Sequence, residues 1–259
     1  LISACEKAPL EKPDPFKIDQ GIAVEFAMGE QFFGELKQMV DLAYEGRLSN
    51  PQGGMGFSNC AQVERDTLLK KIIIDFGEQG CKGKDGRNRR GKLEVNYLGG
   101  GYHDSGTLVI IRTNQYSVNQ YALQGILYVT HLGKDKNGAP SWRIQEKGSL
   151  YFPDGTLGFD WDAYRELCFA KGWDTHKMPE DDIWANTIQG EMMSSRHSGW
   201  KYESKSRIER SPLCPHPQSG LVLLDRPGIE EHAVNYGNGL CDPEAELSGG
   251  GTSLRFSLK

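Results

Sequence analysis

Four residues in the last third of the chain, Cys214, His216, His232 and Cys241, carry side chains of the kinds that bind zinc. Their spacing, Cys-x-His followed at a distance by His and Cys, matches no standard finger. An earlier pair, Cys60 and Cys81, sits in similar surroundings without histidines, so disulfides account for both pairs where zinc would account for one. Asp160 and Asp162 lie two residues apart, and on a strand they would share one face at about 7 Å. Inverting glycosidases work across such a gap, but the sequence builds no cleft around these two, and they read as a solvent-facing pair. His103-Asp104-Ser105 holds the residue types of a catalytic triad, yet adjacency in sequence is not triad geometry. It reads as a polar turn within the loop 99–106. Glu180-Asp181-Asp182 lacks the alternating ligands and the glycine of a calcium loop. These readings leave no catalytic residue, no metal ligand and no cofactor site.

Two features could serve binding. The stretch from Lys82 to Lys92 interleaves Lys84, Arg87, Arg89 and Arg90 with glycines. Backbone N–H groups in such turns can face an anion, and clustered arginines can grip phosphate or carboxylate. The plainer account is a solvated hairpin tip turning at Asp85-Gly86, and Lys84, Arg87, Arg89 and Arg90 are kept as the candidate anion-binding set. The second feature is aromatic: Trp142, Tyr151, Phe159, Trp161, Trp173, Trp184, Trp200 and Tyr202 crowd a short stretch. Exposed in a row they would stack on sugar rings, but their period-two placement favours the core of a sheet.

The elements that would position these residues are mostly strands. Glycine is frequent, at 32 residues, and β-branched and aromatic runs alternate with turn residues. One helix is expected over 26–50, where Phe32, Phe33, Leu36, Met39, Val40 and Ala43 fall at three- and four-residue spacing and Gly46 is placed to end it. Gly34 is an awkward residue inside it. From about residue 60 the period becomes two: Leu93, Val95 and Tyr97 alternate with polar neighbours, as do Trp200 to Glu209. Further strands are expected at 106–113, 120–132, 141–152, 156–169, 182–190, 220–225, 231–236 and 252–258. Asp154-Gly155 and Asn137-Gly138 supply hairpin turns. The segment 156–170 admits two readings. A strand puts Leu157, Phe159, Trp161, Ala163, Leu167 and Phe169 on one face, with Arg165 as the one exception. Asp162 to Lys171 would also pass as a helix, and the length of the alternation favours the strand. The predicted architecture is mainly β: an antiparallel meander curled into a half-barrel or sandwich, with one N-terminal helix packed on it.

The first residues suggest where the protein is expected to reside. Leu1-Ile2-Ser3-Ala4-Cys5 looks like the close of a bacterial lipoprotein signal, with Cys5 as the lipidated residue. Residues 6–25 read as a tether, with Pro9, Pro13 and Pro15 among charges. The β domain is expected over 51–259. A net charge of −5 argues against a nucleic-acid partner, and no apolar run is long enough to span a bilayer. The phrase Ile74-Asp75-Phe76-Gly77, then Cys81, returns as Val234-Asn235-Tyr236-Gly237, then Cys241. Each copy follows an earlier cysteine, which proposes the bridges Cys60–Cys81 and Cys214–Cys241 and leaves Cys168 odd.

The run Ile72 to Gly77, then Cys81, then Asp85-Gly86-Arg87-Asn88-Arg89-Arg90-Gly91-Lys92-Leu93, resembles a pattern in uncharacterised lipoproteins of Bacteroidetes-type bacteria. So do the hairpin-rich stretch around Val118 to Thr130 and the turn Leu150 to Thr156. The second glycine–cysteine unit departs from that pattern, because Cys241 is followed by Asp242-Pro243-Glu244. The resemblance implies an exported, lipid-anchored β protein of the outer membrane, and it lends no activity. The expected function is non-catalytic ligand binding or envelope structure, with a membrane and a glycan or envelope component as partners. The competing expectations are a hydrolase acting on glycans and a carrier of an apolar ligand.

Overall fold

A computed structural model describes residues 20–48, 57–175 and 181–258. Cys5 and Glu180 lie outside the described residues. The helix, α1, runs over Gln20–Tyr44. It starts six residues before the expected boundary, so the C-terminal end of the anticipated tether is helical. Packing explains the extra turn and a half: Ile22 and Phe26 fall one above the other and are fully buried. The Phe26 ring lies 5.0 Å from Tyr202 and 5.8 Å from Trp161. At the other end Gly46 adopts φ 72°. Arg47 N then donates to Leu42 O at 2.7 Å and Gly46 N to Ala43 O at 3.1 Å, the reciprocal pair of a glycine-capped helix end.

Among the described residues, every strand belongs to one antiparallel sheet. Its strands are β1 (Gln62–Asp66), β2 (Lys71–Asp75), β3 (Cys81–Lys82), β4 (Asn88–Leu98), β5 (Leu108–Val118), β6 (Tyr121–Lys134), β7 (Pro140–Tyr151) and β8 (Leu157–Lys171). They continue as β9 (Ile183–Ser194), β10 (Ser198–Ser204), β11 (Ile208–Arg210), β12 (Ser219–Asp225), β13 (His232–Asn238), β14 (Glu244–Gly249) and β15 (Thr252–Ser257). Neighbours in sequence are neighbours in the sheet, apart from the short β3 beside β4 and β11 beside β9 and β12. The sheet is therefore a meander, and β1 and β15 end it as unpaired edges rather than closing it.

The sheet curls around the helix. Helix α1 touches β2 near one end, β5, β8 and β9 in the middle, and β15 at the other end. Its buried residues accordingly face every direction, from Phe32 and Phe33 to Glu30 and Glu35. One register row shows how the concave face admits it: Gly125, Gly148, Trp161, Met192 and Trp200 pair across five strands. A Cβ on Gly125 or Gly148 would meet the Phe33 ring at 2.9 or 2.8 Å, so the two glycines make the notch that seats this phenylalanine. The adjacent row reads Lys147, Asp162, Glu191, Lys201 and Asp225. It is solvated, as the alternation of side chains along a strand requires.

Candidate functional site

Two clusters of charged side chains lie where a core would ordinarily be apolar, between α1 and the concave face. The first is built on Glu30. Helical spacing puts Glu30, Gly34, Lys37, Gln38 and Asp41 on one face of α1, opposite Ile144 of β7, Arg165 and Leu167 of β8, Trp184 and Asn186 of β9 and Arg210 of β11. These residues line a cavity of about 60 Å³. Arg165 is its anchor: Nε donates to Glu146 Oε1 at 2.9 Å, and Nη1 donates to Glu30 Oε1 at 3.0 Å and Asn186 Oδ1 at 2.9 Å. Arg210 Nη2 donates to the other Glu30 oxygen at 3.1 Å. Trp161 Nε1 donates to Glu146 Oε2 at 3.0 Å. Burial alone would lower the Arg165 pKa, but Glu146 and then Glu30 outweigh it and raise it above the ordinary arginine value.

Glycine makes the approach of Trp161 to the helix fit. A Cβ on Gly34 would stand 3.4 Å from Arg165 Nη2, and one on Gly29 would stand 2.5 Å from the Trp161 ring. The residue that looked awkward inside a helix thus packs directly against the arginine, with room for ordinary contact.

At the outer end of the cavity Lys37 pairs with Asp41 Oδ2 at 2.5 Å, and Tyr102 OH donates to Asp41 Oδ1 at 2.7 Å. The Lys37 ammonium lies 3.9 Å from the centre of a Trp142 ring, a cation–π contact. Trp142, Phe169 and Trp184 form a half-buried aromatic group, with Phe169 and Trp184 centred 3.8 Å apart. His131 packs on Trp142 at 5.3 Å; burial and then the Lys37 charge push its pKa down.

The second cluster is built on Glu35. Arg89 Nη2 donates to Glu35 Oε2 at 2.8 Å and to Asp85 Oδ2 at 2.6 Å, and Arg87 donates to Glu35 Oε1. Burial would raise the Glu35 carboxyl, yet Arg87 and Arg89 together hold it below the usual carboxylate range. Both disulfides stand beside this cluster. Cys60–Cys81 and Cys214–Cys241 are closed, with Cα–Cα distances of 5.7 and 5.6 Å. The first staples the segment whose Phe57 O accepts from Arg89 Nη1 at 3.1 Å. The second holds Pro215, whose carbonyl accepts from Gln31 Nε2 at 2.9 Å.

The expected sites fare differently. The cysteine pairing of the repeat is the one observed, and Cys168 is free and buried. Cys214 and Cys241, bonded to each other, are removed from any zinc quartet, and His232 Nδ1 lies 2.7 Å from Glu230 O. The basic loop needs correction as an anion site. Arg87 and Arg89 turn inward onto Glu35 and Asp85, so that of the four candidates Lys84 and Arg90 stay exposed. The physical reason is the buried Glu35, whose desolvation must be offset by a paired cation. Asp160 and Asp162 face outward, bonded to Ser149 Oγ at 2.6 Å and Lys147 Nζ at 2.9 Å. His103 to Ser105 forms a turn in which Gly101 N donates to Asp104 Oδ2. Phe159, Trp161, Trp200 and Tyr202 are core residues.

Sequence reasoning passed over Glu30, Glu35, Lys37, Glu146, Asn186 and Arg210. One signal was present: Arg165 broke an otherwise apolar strand face, and it is the residue around which the first cluster assembles. Comparison with protein-family models, with curated proteins and with solved structures finds no match for the chain.

Proposed function

We propose that the protein is an exported envelope component, anchored through a lipid on Cys5 at the outer membrane, that binds a partner or ligand rather than catalysing a reaction. The carrying observation is the pair of closed disulfides at the two strand–glycine–cysteine repeats. Bridges of that kind persist in an oxidising compartment and are rare in a reducing one. A lipid chain contributes about 0.8 kcal/mol per buried CH₂, so acylation would hold the domain at a membrane without a spanning segment.

Binding is favoured over the competing readings for structural reasons. A general acid needs a carboxyl with a raised pKa, whereas Glu35 is held low by its arginines and both oxygens of Glu30 are bonded to guanidinium groups. An apolar carrier needs a hollow sheet, and α1 fills the concave side of this one. The cavity beside Glu30, walled by Trp184, is the favoured place for a small polar ligand, a glycan or envelope component included. The test is expression with an export leader in a Gram-negative host fed labelled palmitate. The expected outcome is label on the protein in the outer-membrane fraction, lost in Cys5→Ala. An unlabelled, freely soluble protein would refute the anchor.

A further inference from the structure

The cavity beside Glu30 has balanced charge and charged donors with N–H groups to spare. Lys37, Arg165 and Arg210 are matched by Glu30, Asp41 and Glu146, the last standing behind Arg165. Each carboxylate oxygen facing the cavity already accepts one donor. Glu30 receives Arg165 and Arg210 on its two oxygens, and Asp41 receives Tyr102 and Lys37 on its two. Donors are left over. Among the described residues, Arg210 donates only from Nη2, and Lys37 donates one bond, to Asp41. Among the described residues, no hydrogen-bond partner is seen for the Gln38 amide or the Ser211 hydroxyl, both in the cavity wall. Ile144, Leu167 and Trp184 form the rest of the lining.

We infer that this cavity is a binding site for the carboxylate head of a small organic acid, with Arg210 and Lys37 as the charged donors, Ser211 and Gln38 as neutral ones, and the adjoining carbon against Trp184. Charge-assisted bonds from guanidinium and ammonium groups are roughly twice as strong as neutral ones, which selects an anionic acceptor over a carbonyl or hydroxyl. Size agrees. A water-sized group takes roughly 10–15 Å³ of such space, so the 60 Å³ cavity accepts about four heavy atoms, a carboxylate with its attached carbon. The inference rests on the binding half of the function proposed above and is independent of the lipid anchor, so export can fail its test while this site passes.

The experiment titrates the full chain with sodium propionate, following tryptophan fluorescence and heat. A saturable response is expected, with affinity reduced about tenfold or more in Arg210→Met, as for a lost bond to a charged group. Ser211→Ala guards against a folding artefact: its hydroxyl holds nothing in the fold, so stability stays constant while affinity falls. Glucuronate tests the source. Tighter binding than propionate assigns the acidic end of a glycan, and weaker binding assigns a free short-chain acid. No saturable response to either acid would overturn the proposal. So would equal affinity for propanamide, which is neutral and nearly isosteric, or for inorganic phosphate.

Discussion

Arg165 illustrates how a buried charge is tolerated and what its removal would do. Its guanidinium spans Glu146 of β7 and Glu30 of α1, so it ties the helix to the middle of the sheet. Arg165→Met would leave two buried carboxylates short of a partner, and the cost of such a deletion is about 3–5 kcal/mol. A large fall in the denaturant midpoint is the expected result, and a change within error would mean the cluster is not closed. Gly29→Ala sets two effects against each other. Helix propensity favours alanine by roughly 0.8–1.0 kcal/mol, while forcing a methyl into a packed core costs typically 1–3 kcal/mol. With Trp161 only 2.5 Å from the new Cβ, packing is expected to win and the variant to be less stable.

Acid should weaken the fold in two steps. His216 is held below the usual histidine value by burial and then by Arg87 and Arg210. The unfolded chain therefore takes up that proton first, and stability declines as pH drops below the ordinary histidine range. Glu35, with its folded pKa lowered, contributes fully above the unfolded carboxylate value and loses that contribution as pH falls through the folded one. Midpoints measured across pH should show both declines, with the first reduced in His216→Asn and the rest of it carried by His131, which burial and Lys37 also hold low. At this scale the sequence was hard to read. Glu30 and Glu35 drew no notice because a helix packed on one side of a sheet has a solvated face for such residues. Only enclosure from all sides buries them.

Elements were more legible than residues, and the exceptions have causes. Segment 156–170 is a strand, as the shared face of Leu157, Phe159 and Trp161 implies. The alternation from Trp200 to Glu209 is real but interrupted. Lys205 N and Ser206 N both donate to Leu221 O, an irregularity that separates β10 from β11 and that period alone does not reveal. Strand β1 escaped notice because every one of its residues is exposed; an edge strand without a covered face has no alternation to detect. Its polar character also suits an edge, where an apolar strand would invite pairing with another chain. Amide exchange should report this ranking. The interior of α1 and strands β7, β8 and β9 are expected to exchange slowest and together, with β1 fastest among the strands. Fast exchange throughout α1 would show that the helix is not locked in the sheet.

For the whole molecule, the arrangement answers a difficulty of open sheets. A meander that curls without closing has two unpaired edges and a core exposed along the gap between them. Here α1 fills the concave side. The loops at the two disulfides supply Phe57 and Pro215 to the helix's charged partners and to the helix itself. The bridges close separations of 21 and 27 residues, and each is worth roughly 3 kcal/mol by loop entropy. Reduction should therefore lower the melting temperature well before secondary structure is lost at ambient temperature. The repeated strand–glycine–cysteine phrase gave away this framework, because each copy carried its own turn and its own cysteine pair. The wrapping of the sheet around the helix was not in any local pattern.

The most direct test is non-reducing peptide mass spectrometry on the protein isolated from the envelope of a host that exports it. The expected map has Cys60 joined to Cys81, Cys214 joined to Cys241 and Cys168 free. A Cys60–Cys214 bridge, or four free thiols, would contradict both the stapled fold and the exported location proposed for it.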